Sequence, residues 1–326
     1  MNRLNFFLVG FAHCGSSVLY ETLSQHPNLV LPSSEDSEYF WFNKAPFHLC
    51  SEGGIEEWKN VIGTEAYEKE FQNAAAGAIR GTSVAWSLYS AKALEAIKEA
   101  NPAAKIILML CPPVTWMRAW HHHLLRDAHE DQVDFGEALS LESERVEGKS
   151  LPRQNSSAKS LCYREAARFS EQVSAYFEAF GRENVFVGLQ EDCEKNPTEF
   201  MQQIFYFLEV EAGVKIEVKE TKEPEILKGT HHFDLMMKRV AGRLPGGEKW
   251  KQIFAKSVQP KYREVADKIF APMSNQSINS ILEEELLEEF EPEVAKLGEL
   301  LGRDLSHWNE PRFPRSDEDD HHHHHH

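Results

Sequence analysis

Cysteine is scarce in this chain. Its 326 residues include five cysteines, an odd number, and none of them forms a CxxC pair or stands at zinc-ligand spacing from histidine. They are widely scattered, at Cys14, Cys50, Cys111, Cys162 and Cys193. This pattern predicts reduced, buried thiols, and it argues against disulfides and against a metal site. It also favours a cytoplasmic location.

Positive charge and long apolar runs are also in short supply. The chain has 35 lysines and arginines against 52 aspartates and glutamates, which gives a net charge of −17. Binding to a nucleic acid or to an anionic membrane surface needs a basic face, so neither is expected as a partner. No segment is apolar over the length that a bilayer span requires, and MNRLNFFLVGF is too short for a secretory signal.

The last residues stand apart from the rest. A hexahistidine tag follows the acidic run SDEDD, and we assign residues 316–326 to a tail. The remaining residues 1–315 contain no stretch typical of an interdomain linker. With 41% hydrophobic and 11% aromatic residues, they are expected to fold around a packed core as one domain.

Three apolar runs predict central strands of a sheet. They are NFFLVG at residues 5–10, KIILML at 105–110 and NVFVGL at 184–189. A shorter strand is expected at 29–31, and residues 77–83 are expected to form a short strand and its exit loop. Helical patterns occupy residues 16–25, 58–76, 91–100, 114–127, 161–180, 197–208 and 277–301, whereas the polar segment 145–160 is typical of a surface loop. Strands that alternate with helices predict an α/β fold with a parallel sheet covered on both sides.

The turn after the first strand has the composition of an anion-binding loop. The sequence HCGSS connects that strand to the following helix. A helix amino end presents unpaired N–H groups and a partial positive charge, glycine permits close approach, and the serines add hydroxyl donors. This P-loop-like arrangement favours phosphate or sulfate, although a simple turn with a serine cap has the same composition.

Several motifs in the chain resemble those of the PAPS-dependent sulfotransferases, especially the carbohydrate and bacterial branch. FFLVGFAHCGSSVLYETLSQHPNLVLP resembles that family's opening strand, KSGTT loop, helix ending in LxxHP and short strand before proline. KIILMLCPPVTWMRAWHHH looks like its KIIxxLRxPxxRxxSxYxH. NVFVGLQEDCEKNPTEFMQQIFYFLEV and FEPEVAKLGELLGRDLSHW are similar to later family segments. The resemblance implies a sulfotransferase fold over nearly the whole chain.

The resemblance also implies a cofactor site for PAPS, 3′-phosphoadenosine 5′-phosphosulfate. The positions that match the family's cofactor contacts, or adjoin them, are His13, Cys14, Gly15, Ser16, Ser17, Val18, Cys111, Arg118 and Ala119. Thr82 and Ser83 match a family loop that touches acceptor or cofactor, and Tyr163 matches a family tyrosine.

The chain departs from the family at three of these positions. His13 replaces a lysine that contacts the 5′-phosphate, whereas Cys111 and Ala119 replace an arginine and a serine that hold the 3′-phosphate. Each lost charge-assisted contact is worth about 1.5–3 kcal/mol. Either Arg118 or His122 substitutes for the lost groups, or the donor is less phosphorylated, or catalysis is lost.

Three residues are predicted to take part in catalysis. His13, once protonated, donates to a phosphate oxygen or supplies a proton to the leaving group. Asp36 matches the family glutamate that acts as the base, and the neighbouring Glu35 is the alternative base.

The consecutive histidines 121–123 point about 100° apart on a helix, so they cannot share one metal ion.

The function expected from these features is the transfer of a sulfuryl group from PAPS to a hydroxyl or amine of a small-molecule or sugar-like acceptor. Two alternatives stay open. One is altered chemistry, that of a lyase, cyclase or other transferase, on a different phosphorylated or sulfated substrate. The other is a noncatalytic binding protein.

Overall fold

The computed structural model of the chain describes residues 3–10, 14, 16–32, 54–62, 68, 71–72, 74–85, 88–126, 129–153, 155, 157–218 and 278–313. The chain divides into two compact units. The first comprises Met1–Cys111 and Phe169–Thr221, and the second comprises Pro112–Arg168 and Lys222–His326. The assignment of residues 1–315 to one domain stays a prediction.

The first unit contains a five-stranded parallel sheet. Its strands are β1 (Phe6–Gly10), β2 (Leu29–Val30), β3 (Ile79–Ala85), β4 (Lys105–Leu110) and β5 (Val185–Leu189). They lie in the order β2-β3-β1-β4-β5, and every pair is parallel. All residues of β1 and all but the first of β4 are buried, so both faces of these strands are covered, which is why they are almost wholly apolar. The predicted α/β architecture is confirmed.

Helices alternate with these strands along the chain. In chain order they are α1 (Ser16–Leu23), α2 (Ile55–Ile62), α3 (Ala91–Ala100), α4 (Pro113–Arg126), α5 (Phe135–Ser140), α6 (Glu142–Val146), α7 (Tyr163–Ala166), α8 (Phe169–Phe180), α9 (Gln190–Lys195), α10 (Pro197–Phe207) and α11 (Ser280–Leu301). Short 3-10 turns occupy Ala158–Leu161, Arg182–Asn184 and Ser306–Asn309. No helix in the described ranges is long and apolar enough to cross a membrane.

A glycine inside β3 permits close packing against β1. Gly81 pairs with Phe6, and a Cβ atom at position 81 would lie 2.1 Å from the Phe6 ring. Only glycine leaves room for that ring.

Thr82 and Ser83, which were expected in a loop, continue β3 instead, and they pair with Phe7 and Leu8 of β1.

Helices α4 and α11 contact each other in the second unit. The buried side of α4 includes Trp116 and Trp120, whose rings stack 6.1 Å apart. Helix α11 buries Leu286, Phe290 and Val294, which recur at helical spacing. Its predicted start at residue 277 lies three residues early, because the side chain of Asn279 caps the amides of residues 281 and 282.

The predicted helix over residues 161–180 is wrong in its first half. Asn155 donates to the Ser160 hydroxyl at 2.9 Å, and that hydroxyl donates to the Ser157 carbonyl at 2.7 Å. Such side-chain bonds compete with helical hydrogen bonding. These bonds lie at a 3-10 turn, which is followed by the short helix α7, and α8 begins only at Phe169. The predicted surface loop 145–160 is also wrong at its first residue, since Arg145 lies in α6 and is wholly buried.

Candidate active site

The carboxyl ends of β1 and β4 lie side by side at the point where the connections of the sheet diverge. After β1 the chain runs to β2 at one edge of the sheet, and after β4 it runs to β5 at the other edge. Open parallel sheets bind ligands outside the carboxyl ends of their strands at such a switch point. The topology of the first unit therefore places a candidate site after β1 and β4.

Helix α1 begins at this place. It starts at Ser16, six residues after the end of β1, and its first turn contains no acidic residue. The N–H groups of that turn have no partner within the helix, and together they carry a partial positive charge. The backbone at the start of α1 thus has the donors that a phosphate or sulfuryl oxygen requires.

The same place holds a disulfide. Cys14 and Cys111 are bonded to each other, with their Cα atoms 5.2 Å apart, although 97 positions separate them in the sequence. The expectation of reduced thiols at these two positions is therefore wrong. Because β1 and β4 pair in parallel, their carboxyl ends lie together, and Cys111 follows β4 directly. The spacing of the two cysteines along the sequence gives no indication that they lie close together in the fold.

Several of the predicted site residues lie outside the described residues. These are His13, Gly15, Glu35 and Asp36, together with the side chains of Ser16 and Ser17. Val18 is described as a half-buried residue in the first turn of α1. The structure therefore brings together Cys14, Cys111 and the amino end of α1, and the catalytic roles of His13, Asp36 and Glu35 stay predictions.

Arg118 and Ala119 lie on α4 in the second unit. Ala119 is buried and has only a methyl group, so it cannot donate a hydrogen bond to a phosphate. Arg118 bonds the Nδ1 of His121 at 3.3 Å, and its guanidinium lies 5.6 Å from the centre of the Phe135 ring. Burial lowers the pKa of Arg118 to about 10, against the attraction of Asp134. Its proposed role as a phosphate ligand stays a prediction.

The two buried histidines of α4 are neutral. Nε2 of His121 donates to the Gln132 carbonyl at 2.7 Å, and its Nδ1 accepts from Arg118. Burial, reinforced by the charge of Arg118, lowers the pKa of His121 to about 4 and that of His122 to about 3. Within the described ranges, no group of three or more His, Cys, Asp or Glu side chains could hold a metal ion.

This burial predicts a loss of stability in mild acid. The imidazole of His121 takes up a proton below pH 6.5 in the unfolded chain but only near pH 4 in the folded protein. Its contribution is therefore complete above pH 6.5 and is lost as the pH falls towards 4, by about 3 kcal/mol at most. Urea unfolding between pH 7 and pH 5 measures this slope.

Two variants measure the share of His121 in this slope, to which the buried His122 also contributes. Glutamine at position 121 keeps a polar side chain without an imidazole, so the His121→Gln protein is expected to lose less stability on acidification. His123, the half-buried neighbour that stacks on Trp120, provides the matched control, and His123→Gln is expected to retain the full slope. Equal slopes for His121→Gln and the unaltered protein would contradict the prediction.

A buried ion pair in the second unit was not predicted from the sequence. Both side chains of Glu130 and Arg145 are 0% exposed, and they form two hydrogen bonds of 2.6 Å. The hydroxyl of Tyr163 also donates to Glu130, at 2.7 Å. The matched family tyrosine is thus part of a buried polar cluster here. In the sequence, the one hint of this cluster is that the residues around Tyr163 are not purely apolar.

His26, from the LxxHP motif, also has a structural contact. It is buried, its Nε2 bonds the carbonyl of Glu211 at 2.8 Å, and its Nδ1 accepts from the amide of Asn28 at 3.1 Å. These bonds fix the chain where α1 ends and β2 begins. The histidine of this motif therefore supports the first unit rather than the chemistry.

Comparison with known proteins gives one informative likeness. No protein-family model matches the chain, and no curated protein matches it. A crystal structure of a sulfotransferase from Alicyclobacillus acidocaldarius is 26% identical with a TM-score of 0.62, and the match covers 95% of this chain and 100% of that one.

Two further structures match with lower TM-scores. The sulfotransferase domain from the curacin biosynthetic pathway is 14% identical with a TM-score of 0.41, over 93% of this chain and 99% of that one. A sulfotransferase from Mycobacterium avium is 13% identical with a TM-score of 0.38, over 65% of each chain. The parallel sheet and the likeness to the Alicyclobacillus structure over nearly the whole length show that the chain has a sulfotransferase fold.

Proposed function

We propose that the protein is a sulfotransferase that moves a sulfuryl group from PAPS to a hydroxyl or amine of a small-molecule or sugar-like acceptor. The observation that carries the proposal is the amino end of α1 at the switch point between β1 and β4, in a fold shared with the Alicyclobacillus sulfotransferase. A site of this kind stabilises charge on transferring oxygens without a covalent intermediate.

The described residues fit one end of the donor better than the other. The amides of the first turn of α1 suit the sulfuryl and 5′-phosphate oxygens. The positions that match the family's 3′-phosphate ligands do not suit that phosphate, because Cys111 is held in a disulfide and Ala119 has no polar group. When bound, PAPS supplies an activated sulfuryl group whose leaving group is a phosphate.

The chain's own residues then have distinct tasks. The amides of α1 bind the oxyanion and fix its orientation. Protonated His13 holds a proton towards the leaving oxygen, and the Asp36 carboxylate accepts the proton of the acceptor hydroxyl or amine. Glu35 is the alternative base. The attacking atom of the acceptor must also lie in line with the sulfur and the leaving oxygen, as the attacking and leaving atoms do in phosphoryl transfer.

The poor fit at the 3′-phosphate favours a second candidate function. In that case the protein keeps the fold but takes a different phosphorylated or sulfated substrate that has no 3′-phosphate, and His13 and Asp36 act as acid and base in a transfer, lyase or cyclase reaction. The alternatives differ in one measurable property, which is the gain in affinity that a 3′-phosphate provides.

Calorimetry with two nucleotides separates these functions. Adenosine 3′,5′-bisphosphate is expected to bind at least about tenfold more tightly than adenosine 5′-monophosphate if the donor is PAPS, because each phosphate contact contributes about 1.5–3 kcal/mol. Equal affinities would favour the second candidate. If neither nucleotide binds at millimolar concentration, transfer from PAPS is excluded.

Mass spectrometry tests the transfer itself. A panel of acceptors is incubated with the protein and PAPS, and products that gain one sulfuryl group are sought.

The base can be identified by two isosteric changes. Asp36→Asn is expected to lower the transfer rate at least about a hundredfold with little change in nucleotide affinity, because the amide cannot accept the acceptor's proton. Glu35→Gln serves as the adjacent control and should retain most of the rate. The reverse pattern assigns the base to Glu35, and full activity in both variants would contradict general-base catalysis at this segment.

A further inference from the structure

One departure from the family pattern is bonded to a residue that matches the family's anion-binding loop. Cys111 stands where the family has an arginine, and Cys14 lies in the loop that matches KSGTT, two residues before α1. The structure joins these two residues directly. Both are 1% exposed, and both belong to the first unit. The bond therefore lies at the switch point, between the chain that leaves β1 and the chain that leaves β4.

The other described cysteines lack a partner of this kind. Cys162 and Cys193 are free and buried. Burial raises the pKa of the Cys162 thiol to about 12 and also raises the pKa of the Cys193 thiol. Because the thiolate is the reactive form, both are inert at neutral pH. Cys14, in contrast, is bonded to Cys111 and lies two residues before the amino end of α1.

We propose that Cys14 and Cys111 form a redox modification site that sets the affinity of the α1 loop for its anionic donor, high when the disulfide is formed and lower when it is reduced. This inference rests on the proposed function. It adds a control of donor binding to that function, through a reversible bond between two positions that the resemblance assigns to the cofactor site.

The chemistry needs a small disulfide as oxidant and a thiol as reductant. In oxidation, one cysteine thiolate attacks a small disulfide such as glutathione disulfide, forms a mixed disulfide and releases one thiol. The second cysteine thiolate then attacks the protein sulfur of that mixed disulfide and releases the second thiol. The net reaction converts two protein thiols and one small disulfide into one protein disulfide and two small thiols. Excess dithiol reverses it, and because both sulfurs are buried, exchange in either direction requires local opening of the chain around them.

The direction of the effect follows from preorganisation. The bond holds residue 14 beside the carboxyl end of β4, with its Cα atom 5.2 Å from that of Cys111, two residues before α1 begins. A backbone that is already restrained loses less conformational freedom when it binds an anion. The restraint at residue 14 partly offsets the loss of the arginine at position 111. Reduction removes the restraint and leaves two thiols that do not replace a guanidinium.

Calorimetry with adenosine 3′,5′-bisphosphate tests the proposal on the full chain. The protein is measured after treatment with glutathione disulfide and again after reduction with dithiothreitol, and peptide mapping of alkylated thiols confirms the state of positions 14 and 111. Reduction is expected to weaken nucleotide binding about tenfold. Cys111→Ser protein should show the weaker affinity in both states. Circular dichroism at the assay temperature verifies that each sample is folded.

The controls separate failure of this inference from failure of the proposed function. Cys193→Ser protein keeps the pair and should retain the full redox effect. Equal nucleotide affinities in both redox states, or tighter binding after reduction, would overturn the inference and leave the proposed function intact. Absence of nucleotide binding in both states would overturn the proposed function, and the inference with it.

Discussion

Replacing Arg145 by methionine is expected to lower the free energy of unfolding by about 3–5 kcal/mol, because the Glu130 carboxylate would then be buried without its counterion. That carboxylate is 0% exposed and receives two 2.6 Å hydrogen bonds from Arg145. It also accepts bonds from Tyr163 and from the amides of Asp131 and Gln132. Nε of Arg145 donates to the Ser150 carbonyl at 3.1 Å. Urea unfolding followed by tryptophan fluorescence measures the change.

The pKa of Glu130 gives the prediction a pH dependence. Burial raises this pKa, but the hydrogen bonds and charge of Arg145 outweigh burial, and the net pKa is lowered. The ion pair therefore stabilises the folded protein above the ordinary glutamate pKa, and its contribution is lost as the pH falls through the lowered value. The gap in stability between Arg145→Met and the unaltered protein should be widest near neutral pH and should narrow in acid.

A double-mutant cycle separates the ion pair from the burial of its members. Glu130→Gln alone leaves the Arg145 charge buried and is also expected to destabilise strongly, whereas Glu130→Gln combined with Arg145→Met should cost less than the two single changes added together. Lys149→Met is the surface control, because its pair with Glu147 is well exposed and should contribute less than about 1 kcal/mol. Additive effects at positions 130 and 145 would contradict a coupled pair.

The strands of the sheet could be predicted because each carries its own signal. Strand β4 was predicted with its observed bounds, and β1 and β5 within one residue, since a strand covered on both faces must be apolar throughout. The turn into α1 was predicted for a similar reason, as glycine and serine mark a helix start locally. These features depend on residues that are neighbours in the sequence.

The features that the sequence did not predict all depend on which side chains become partners in the folded chain. Arginine side chains usually lie on the surface, and only the pairing of Arg145 with Glu130, fifteen positions away, explains why Arg145 is buried. The 3-10 turn at Ala158–Leu161 is accompanied by hydrogen bonds among Asn155, Ser157 and Ser160 that no helical pattern reveals. The disulfide depends on the adjacency of β1 and β4, which follows only from the strand order. Side-chain pairing across the fold is the information that was missing.

Reducing the disulfide, or replacing Cys111 by alanine, is expected to lower the free energy of unfolding by about 3–5 kcal/mol. The bond links positions 97 residues apart, and closing a loop of roughly that length restricts the unfolded chain by about 4–5 kcal/mol in the chain-entropy account. The folded state should change little, because β1 and β4 are already held together by their parallel pairing. Urea unfolding of the oxidised and reduced protein, at one pH and temperature, measures the difference.

The effect must be specific to this pair of cysteines. Cys193→Ala removes a free and buried thiol from the same unit, so it is expected to lower stability only by the cost of a small cavity and to leave the difference between oxidised and reduced protein intact. In Cys111→Ala protein, dithiothreitol should cause no further loss, since no bond remains to be broken. A difference below about 1 kcal/mol between the oxidised and reduced forms would contradict the prediction. So would intact-mass measurements showing two free thiols at positions 14 and 111 in protein kept under oxidising conditions.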